Sequence, residues 1–163
     1  MTLDELVAQQ EIRDVLARYT RGVDRLDRDL VLSCYHPGAR DDHGAFQGTA
    51  EELADWVEQV LSYFDATMHF LGQQLIELAG DRAHSETYCV AYHRRNARDG
   101  EEGVDLWMGL RYIDIFERRN GEWRIADRRC AFDWTRRDPI VGMWELPPEA
   151  LTGRRDRNDP VYR

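Results

Sequence analysis

A histidine and an aspartate in this sequence have the residue types and surroundings that proton transfer requires. His69 lies among apolar neighbours in the segment Met68–Gly72, and Asp24 follows the predicted end of the first helix. A histidine buried in such a segment needs a hydrogen-bonding partner, which is either a backbone group or a carboxylate. Asp24 has alternatives of its own: it pairs with a nearby arginine, caps the next helix, or points inward and takes a cationic or N–H partner. A histidine would meet that last need.

A second histidine, His93, lies near the end of a predicted strand. Small and weakly polar residues share its strand parity, as in a strand that lines a ligand cavity; they are Ser85, Thr87, Cys89 and Ala91. The alternative places His93 at a solvent-facing strand end, beside Arg94 and Arg95. Both interpretations remain open at this stage.

The residue pattern argues against a metal site and against a cofactor bound covalently to lysine. Asp41, Asp42 and His43 are consecutive, but neighbours along a strand point to opposite faces, so we expect no metal site there. The three cysteines form no CxxC pair. All 22 basic residues are arginine, and the absence of lysine excludes a lysine Schiff base and a Walker A loop. We therefore predict that no cofactor is needed.

The charge and hydropathy of the chain argue against two classes of partner, nucleic acids and membranes. There are 31 acidic residues against 22 basic ones, a formal net charge of −9, which disfavours nucleic acid as a ligand. The N-terminus lacks the basic and apolar regions of a signal peptide, and no apolar run approaches the length of a membrane span. We expect a cytoplasmic protein that binds neither nucleic acid nor membrane.

Helical patterns occupy the first part of the chain, and long strands occupy the rest. We expect a first helix to about Gly22. The shorter elements that follow are a helix capped by Asp27 and ended by Pro37-Gly38, an extended segment over 41–46, and a helix after Thr49. Four strands are then predicted, over 67–79, 82–96, 104–118 and 122–134, with Asn120-Gly121 as a strong hairpin signal.

Helices followed by an antiparallel meander indicate an α+β fold, in which the helices cover one face of the sheet. At 163 residues the chain fits one domain, which we assign to residues 1–140. Residues 141–163 form an irregular, charged tail whose role the sequence leaves open.

The chain resembles the SnoaL-like branch of the nuclear transport factor 2-like superfamily over roughly residues 5–140. The spacing from Tyr19 to Asp24, combined with the segment Met68–Gly72, is similar to the group of scytalone dehydratase, bile-acid 7α-dehydratase and hexachlorocyclohexane dehydrochlorinase. This resemblance implies a cone, in which a curved antiparallel sheet wraps around helices and encloses a pocket. It also implies that Asp24 holds His69, with Tyr19 and His93 as further catalytic residues.

The same resemblance indicates substrate-contacting positions and departures from the group. His43 stands where scytalone dehydratase has a tyrosine, and Leu110 and Tyr112 stand in place of its serine and asparagine. Tyr35 and Trp56 belong to a set of aromatic residues that more often form core, although some of them are expected to line a pocket. These departures leave open which group protonates the leaving group.

Our main functional hypothesis is elimination or isomerisation on a hydrophobic cyclic molecule of polyketide, steroid or aromatic type. His69 would remove a proton from carbon, Asp24 would orient the imidazole, and Tyr19 would donate a hydrogen bond to the developing oxyanion. His93 would protonate a departing hydroxyl. The alternatives are a pocket that binds a ligand or partner without chemistry, and a polyketide cyclase.

Both faces of the third long strand are apolar near its middle. Trp107, Ile113 and Ile115 share one parity, and Leu106, Met108, Leu110 and Tyr112 share the other. One layer of helices covers only one face, so we predict a homo-oligomer. The resemblance favours a trimer, with a dimer as the alternative.

Overall fold

The computed structural model describes residues 1–162, in which three α-helices precede or interrupt a six-stranded sheet. The helices are α1 (Leu3–Arg25), α2 (Arg28–Ser33) and α3 (Ala50–Leu61). The strands are β1 (Tyr35–Asp42), β2 (Gln47–Thr49), β3 (Ala66–Ala79), β4 (Arg82–Arg95), β5 (Val104–Arg119) and β6 (Glu122–Pro139). A short 3-10 turn, Pro160–Tyr162, ends the described chain. The α+β class expected from the sequence is confirmed.

The sheet is open and mixed, with the strand order β2-β1-β6-β5-β4-β3. Strands β3 to β6 form the expected antiparallel meander. The expectation of an antiparallel sheet throughout is wrong at one pair, because β1 runs parallel to β6. β6 also extends beyond the predicted end at Trp134 to Pro139, since it pairs with β5 as far as Val104.

Interruptions in the strand registers give the sheet its curvature. An extra residue interrupts the pairing in β3 between Leu71 and Gln74, and extra residues in β6 do so opposite the steps Gly109–Leu110 and Ile115–Phe116 of β5. Each such irregularity bends its strand and increases the local twist. The long strands therefore curl around α1, which packs between β3 and β6, while α3 packs against β1 and β2. The result is the cone that the resemblance implied.

The first helix is longer than predicted because Gly22 has a packing role. A Cβ built on Gly22 would lie 2.9 Å from Cγ2 of Val31, so glycine allows α2 to approach α1 closely. The helix instead ends after Arg25, where Leu26 adopts a left-handed conformation with φ of 51° and its N–H bonds to the carbonyls of Gly22 and Val23. This extra turn carries Asp24.

The segment after α2 also differs from the prediction. The Asp27 side chain caps α2 as expected, accepting from the Leu30 N–H, but the helix ends at Ser33 and Tyr35 already belongs to β1. Pro37-Gly38 therefore lies inside a strand, at the interruption between Tyr35 and Arg40 in the pairing with β6. Proline has no N–H to donate, so it is tolerated at such an irregular position. The extended segment predicted over 41–46 is divided between the end of β1 and a turn.

The core lies between α1, α3 and the concave face of the sheet. Apolar residues of α1 recur at helical spacing and are fully buried there, among them Ile12, Val15, Leu16, Tyr19 and Val23. Leu53 and Val57 of α3 and Tyr112, Phe116 and Ile125 of the sheet complete this layer. Packing thus closes most of the cone and leaves space at one end.

Candidate active site

A cavity of about 230 Å³ remains between α1, α3 and the concave sheet face. Its walls are mostly apolar, including Val23, Val57, Leu61, Ala91 and Met108. The groups in its walls able to donate or accept protons are Tyr19, His43, His69, His93 and Tyr112. An apolar cavity with a few converging polar groups is typical of a small-molecule site.

Asp24 and His69 are joined through two atoms of the histidine. The Nδ1 of His69 lies 2.8 Å from Oδ1 of Asp24, and the His69 backbone N–H donates to Oδ2 at 3.0 Å. The Thr67 hydroxyl also donates to Oδ1, at 2.9 Å. Because the carboxylate accepts at Nδ1, this network assigns the proton to Nδ1 and leaves Nε2 with a free lone pair. Nε2 is therefore the basic atom of the pair.

Strand and helix geometry explain this arrangement. Thr67 and His69 alternate with Met68 and Phe70 along β3, so the first two face Asp24 on the concave side of the sheet while the apolar pair faces outward. Burial alone would raise the pKa of Asp24, but the hydrogen bonds and charge of His69, together with Thr67, outweigh it and lower the pKa. Asp24 is thus an ionised, nearly buried partner for the histidine.

His93 faces the same cavity from β4, on the small-residue face that includes Ala91. Its ring lies 5.4 Å from that of His69 and 5.0 Å from that of Phe64, measured between centroids. Burial, and then the charge of His69, lower the pKa of His93 to about 3. His93 is therefore neutral near pH 7, which argues against its expected role as the acid that protonates a leaving group. A neutral ring N–H still donates a hydrogen bond.

A second aspartate–histidine pair lies at the end of β1, where His43 is in the wall of the cavity. Nδ1 of His43 contacts Oδ1 of Asp41, and Nε2 of His43 lies 3.3 Å from the Tyr19 hydroxyl. The Asp41 side chain is fully buried, and Oδ2 accepts from the Tyr35 hydroxyl at 2.6 Å. Asp41 is not among the predicted site residues, because Asp41, Asp42 and His43 were considered only as a metal site and rejected as one. The i, i+2 spacing of Asp41 and His43 was the signal that could have revealed it.

The structure brings most of the predicted substrate-contacting residues to the cavity and leaves one outside. His43, Trp56, Leu110 and Tyr112 are all in its walls. Tyr35 is not: it is buried behind Tyr19, with ring centroids 5.9 Å apart, and its hydroxyl binds Asp41. Its expected contact with substrate is therefore wrong, because its position on β1 turns the ring into the core.

A buried arginine behind the cavity was not anticipated. The Arg128 guanidinium lies 4.2 Å from the ring centroid of Tyr19 and 4.1 Å from that of Tyr112. It also donates to both carboxylate oxygens of Asp114 at 2.7 Å, and both side chains are fully buried. Cation–π contacts of this kind hold aromatic rings in place when the cation is desolvated. Arg128 thus fixes two rings that line the site.

The C-terminal tail folds back against the end of the cone that carries Asp24. Arg155 is half-buried and donates to the carbonyls of Leu61 and Phe64 and, at 3.4 Å, to that of Asp24. Further along, Arg157 and Tyr162 both bind the Asp27 carboxylate, at 2.8 and 2.7 Å. The tail therefore joins the ends of α1 and α3 beside the site.

Within residues 1–162, no group of three or more histidine, cysteine or acidic side chains is arranged to hold a metal ion. None of the helices in that part of the chain is long and apolar enough to cross a bilayer.

A family model described as a SnoaL-like domain matches residues 4–129, and the chain belongs to this family within the nuclear transport factor 2-like superfamily. No curated protein sequence matches the chain. Among solved structures, a hexachlorocyclohexane dehydrochlorinase of type 2 is 20% identical with a TM-score of 0.74, covering 91% of this chain and 99% of its own.

Two proteins of Novosphingobium aromaticivorans are also similar. One, assigned as a scytalone dehydratase, is 17% identical with a TM-score of 0.73, covering 93% of this chain and 100% of its own. The other, assigned as an aromatic ring hydroxylase, is 19% identical with a TM-score of 0.68, covering 80% and 92%. At these identities the structures establish a shared fold, and the differing activities in their names show that the fold does not define one reaction.

Proposed function

We propose that the protein is an enzyme that removes a proton from carbon in a small cyclic ketone, leading to loss of water or to isomerisation. The observation that carries this proposal is the Asp24–His69 pair, whose basic Nε2 belongs to a residue in the wall of an apolar cavity. Histidine suits proton abstraction because its pKa lies near working pH. The dehydratase and dehydrochlorinase named among the similar structures also catalyse eliminations, which agrees with this class.

Each group around His69 has a role in such a step. Asp24 holds the proton on Nδ1 and compensates the charge that forms when Nε2 takes a proton, as the carboxylate of a serine-protease triad does. His93, neutral and adjacent to His69, would donate its ring N–H to the carbonyl oxygen as the enolate develops. The reaction uses side chains alone.

The cavity size favours a small substrate. Its volume of about 230 Å³ lies below the usual range for ligand sites, which begins at about 300 Å³. We therefore favour a molecule with one or two rings over a steroid. The aromatic walls formed by Trp56, Phe64 and Phe132 suit a flat, unsaturated ring system.

The test uses a two-ring aromatic ketone, α-tetralone, and its derivative with a hydroxyl β to the carbonyl. NMR in D2O follows exchange of the α protons of α-tetralone, and fluorescence follows the naphthol formed when the β-hydroxytetralone loses water. We expect the wild-type protein to accelerate both over buffer, and His69→Ala to lose both while circular dichroism stays unchanged. His84→Ala is the matched control, because His84 is exposed on the other face of β4. If His69→Ala is as active as the wild type, His69 is not the base. If the wild-type protein accelerates neither exchange nor water loss, a binding module is favoured.

A further inference from the structure

Asp41, His43 and Tyr19 form a hydrogen-bonded chain that could deliver a proton to the leaving group. Neutral His93 is poorly suited to that role. A hydroxyl leaves carbon as water only if it receives a proton, and neutral His93 is a poor source of one. His43 lies in the wall of the same cavity as His69, and its two ring nitrogens contact a buried carboxylate and a buried tyrosine hydroxyl. The cavity thus has a proton acceptor and a possible proton donor on separate elements.

We propose that His43 and Tyr19 form the acid that protonates the leaving group, and that Asp41 is the residue that positions them. This inference rests on the proposed function of the Asp24–His69 pair and adds the second half of the reaction. Asp41 faces His43 at Nδ1, so its negative charge compensates the imidazolium form and directs Nε2 to Tyr19.

The surroundings of Tyr19 keep its hydroxyl protonated. Burial raises the pKa of Tyr19 well above its usual value, although the Arg128 guanidinium opposes this. Tyr19 is therefore a relay: it gives its proton to the substrate only as it receives another from His43. The Tyr112 ring, in edge contact with Tyr19 at 5.7 Å, and Arg128 hold the relay in place.

The step starts with His69 neutral, its proton on Nδ1, and with His43 as imidazolium, its protons on Nδ1 toward Asp41 and on Nε2 toward Tyr19. His69 Nε2 takes the α proton, the C–H electron pair forms the new double bond, and the C–O bond breaks. The departing oxygen takes the Tyr19 proton and leaves as water, while Tyr19 takes the Nε2 proton of His43. His43 ends neutral and His69 ends as imidazolium, and exchange of one proton between each ring and solvent restores the starting state.

The chemistry of the leaving group provides a sharp test. Chloride departs without a proton, whereas hydroxide does not, so a β-chlorotetralone needs the base but not the acid. His43→Gln keeps a polar group beside Tyr19 and removes the ability to carry a proton. We expect this variant to lose about 10²–10⁴-fold in water loss from β-hydroxytetralone. Its rates of chloride loss and of α-proton exchange, which need only the base, should fall far less than its rate of water loss.

A matched pair of variants separates positioning from folding. Asp41→Asn removes the charge that faces His43, while Tyr35→Phe removes only the other hydrogen bond to the same carboxylate. We expect Asp41→Asn to behave like His43→Gln, and Tyr35→Phe to retain water loss.

The outcomes are distinguishable from one another. Equal losses of chloride and water elimination in His43→Gln would give His43 a merely structural role and overturn this inference while leaving the base intact. Unchanged water loss in that variant would overturn it as well. If the wild type accelerates neither exchange, nor chloride loss, nor water loss, the proposed function itself fails, and the inference fails with it.

Discussion

The carboxylate of Asp24 binds His69 at the ring and at the backbone simultaneously, through Nδ1 and through the peptide N–H. A ring held only by its Nδ1 could turn with the carboxylate, but the second bond ties the same carboxylate to β3. The imidazole, its strand and the last turn of α1 therefore keep one mutual orientation. Such pre-organisation is what a base acting on a weakly acidic C–H bond requires.

Asp24→Asn should inactivate the base without altering the cavity. The His69 backbone N–H needs an oxygen opposite it, so the Asn amide would turn its NH2 group toward Nδ1. That NH2 group is a donor, which forces the ring proton onto Nε2 and removes the basic lone pair. We expect naphthol formation to fall by about 10²–10⁴-fold.

The control for that variant is Thr67→Val, which removes one hydrogen bond to Asp24 and leaves the charge. Its rate should fall by at most about fivefold, corresponding to a hydrogen bond of about 1 kcal/mol. Equal rates in Asp24→Asn and the wild type would show that the tautomer of His69 does not matter for turnover.

His93 should make the folded state sensitive to acid. Its pKa is lowered to about 3 by burial, whereas an unfolded histidine titrates near 6.5. Between those values the unfolded chain binds the extra proton, so the free energy of unfolding falls as pH falls, by up to about 1.4 kcal/mol per pH unit. About one pH unit above 6.5 and higher, His93 is neutral in both states and this contribution is constant.

Urea unfolding of wild type and His93→Gln across pH 4 to 7 measures that contribution. The difference in the free energy of unfolding between the two proteins should shrink as the pH falls, because only the wild type loses stability through His93. His84→Gln, which changes an exposed histidine on the same strand, should keep a constant difference from the wild type. Parallel curves for His93→Gln and wild type would contradict the buried, neutral state of His93.

Strand alternation and the family resemblance together predict the first aspartate–histidine pair. Alternation along β3 and β4 puts His69 and His93 on the face that carries the cavity, and the resemblance placed Asp24 opposite them. The sequence alone does not show that Asp41 and His43 lie at this cavity, because that depends on where β1 (Tyr35–Asp42) stands in the sheet. The parallel pairing of β1 with β6 that fixes this strand is a long-range contact with no local signal.

The Arg128–Asp114 pair is a second feature that one sequence could not predict. The Asn120-Gly121 turn pairs Arg119 with Glu122, and continuing that register without interruption would set Arg128 opposite Ile113. The shift between Ile115 and Phe116 moves the register by one residue and brings Arg128 opposite Asp114. A single bulge therefore decides whether the arginine meets a carboxylate, and a bulge has no reliable signature in one sequence.

Breaking that pair should be costly to stability. Asp114→Asn leaves the Arg128 charge buried without its partner, and removal of one member of a buried ion pair typically costs about 3–5 kcal/mol. The double variant Asp114→Leu with Arg128→Met removes both charges at once. We expect urea unfolding to show that it regains much of the loss, since replacing a buried pair with apolar residues is often neutral. Asp114→Leu alone and Arg128→Met alone complete the cycle, and additive losses in these two variants and the double variant would show that the pair is not coupled.

The prediction of self-association rests on exposed apolar residues on the outer face of the sheet. Cross-strand pairing places Met68 beside Tyr92 and Tyr92 beside Trp107, and in the next row Phe70 beside Val90. Trp134 lies over Gly109, where a Cβ would come within 2.1 Å of its indole, and so extends the second row. Phe70 is 67% exposed and Trp134 is 48% exposed. A contiguous apolar patch of this kind on a sheet face is typical of a protein–protein interface.

We expect a second copy of the chain to cover this patch, forming a trimer or a dimer. Light scattering at micromolar concentration should give a mass of two or three chains. Phe70→Glu should shift that mass to one chain with the circular dichroism spectrum preserved, because the residue projects away from the core. Leu3→Glu is the matched control: Leu3 is 74% exposed but lies in the first turn of α1 and not on the sheet, so its mass should equal that of the wild type. A wild-type protein that scatters as a single chain would refute the assembly. An unchanged oligomer in Phe70→Glu would assign the interface to another face, because a charge buried without a partner in an apolar interface is strongly unfavourable.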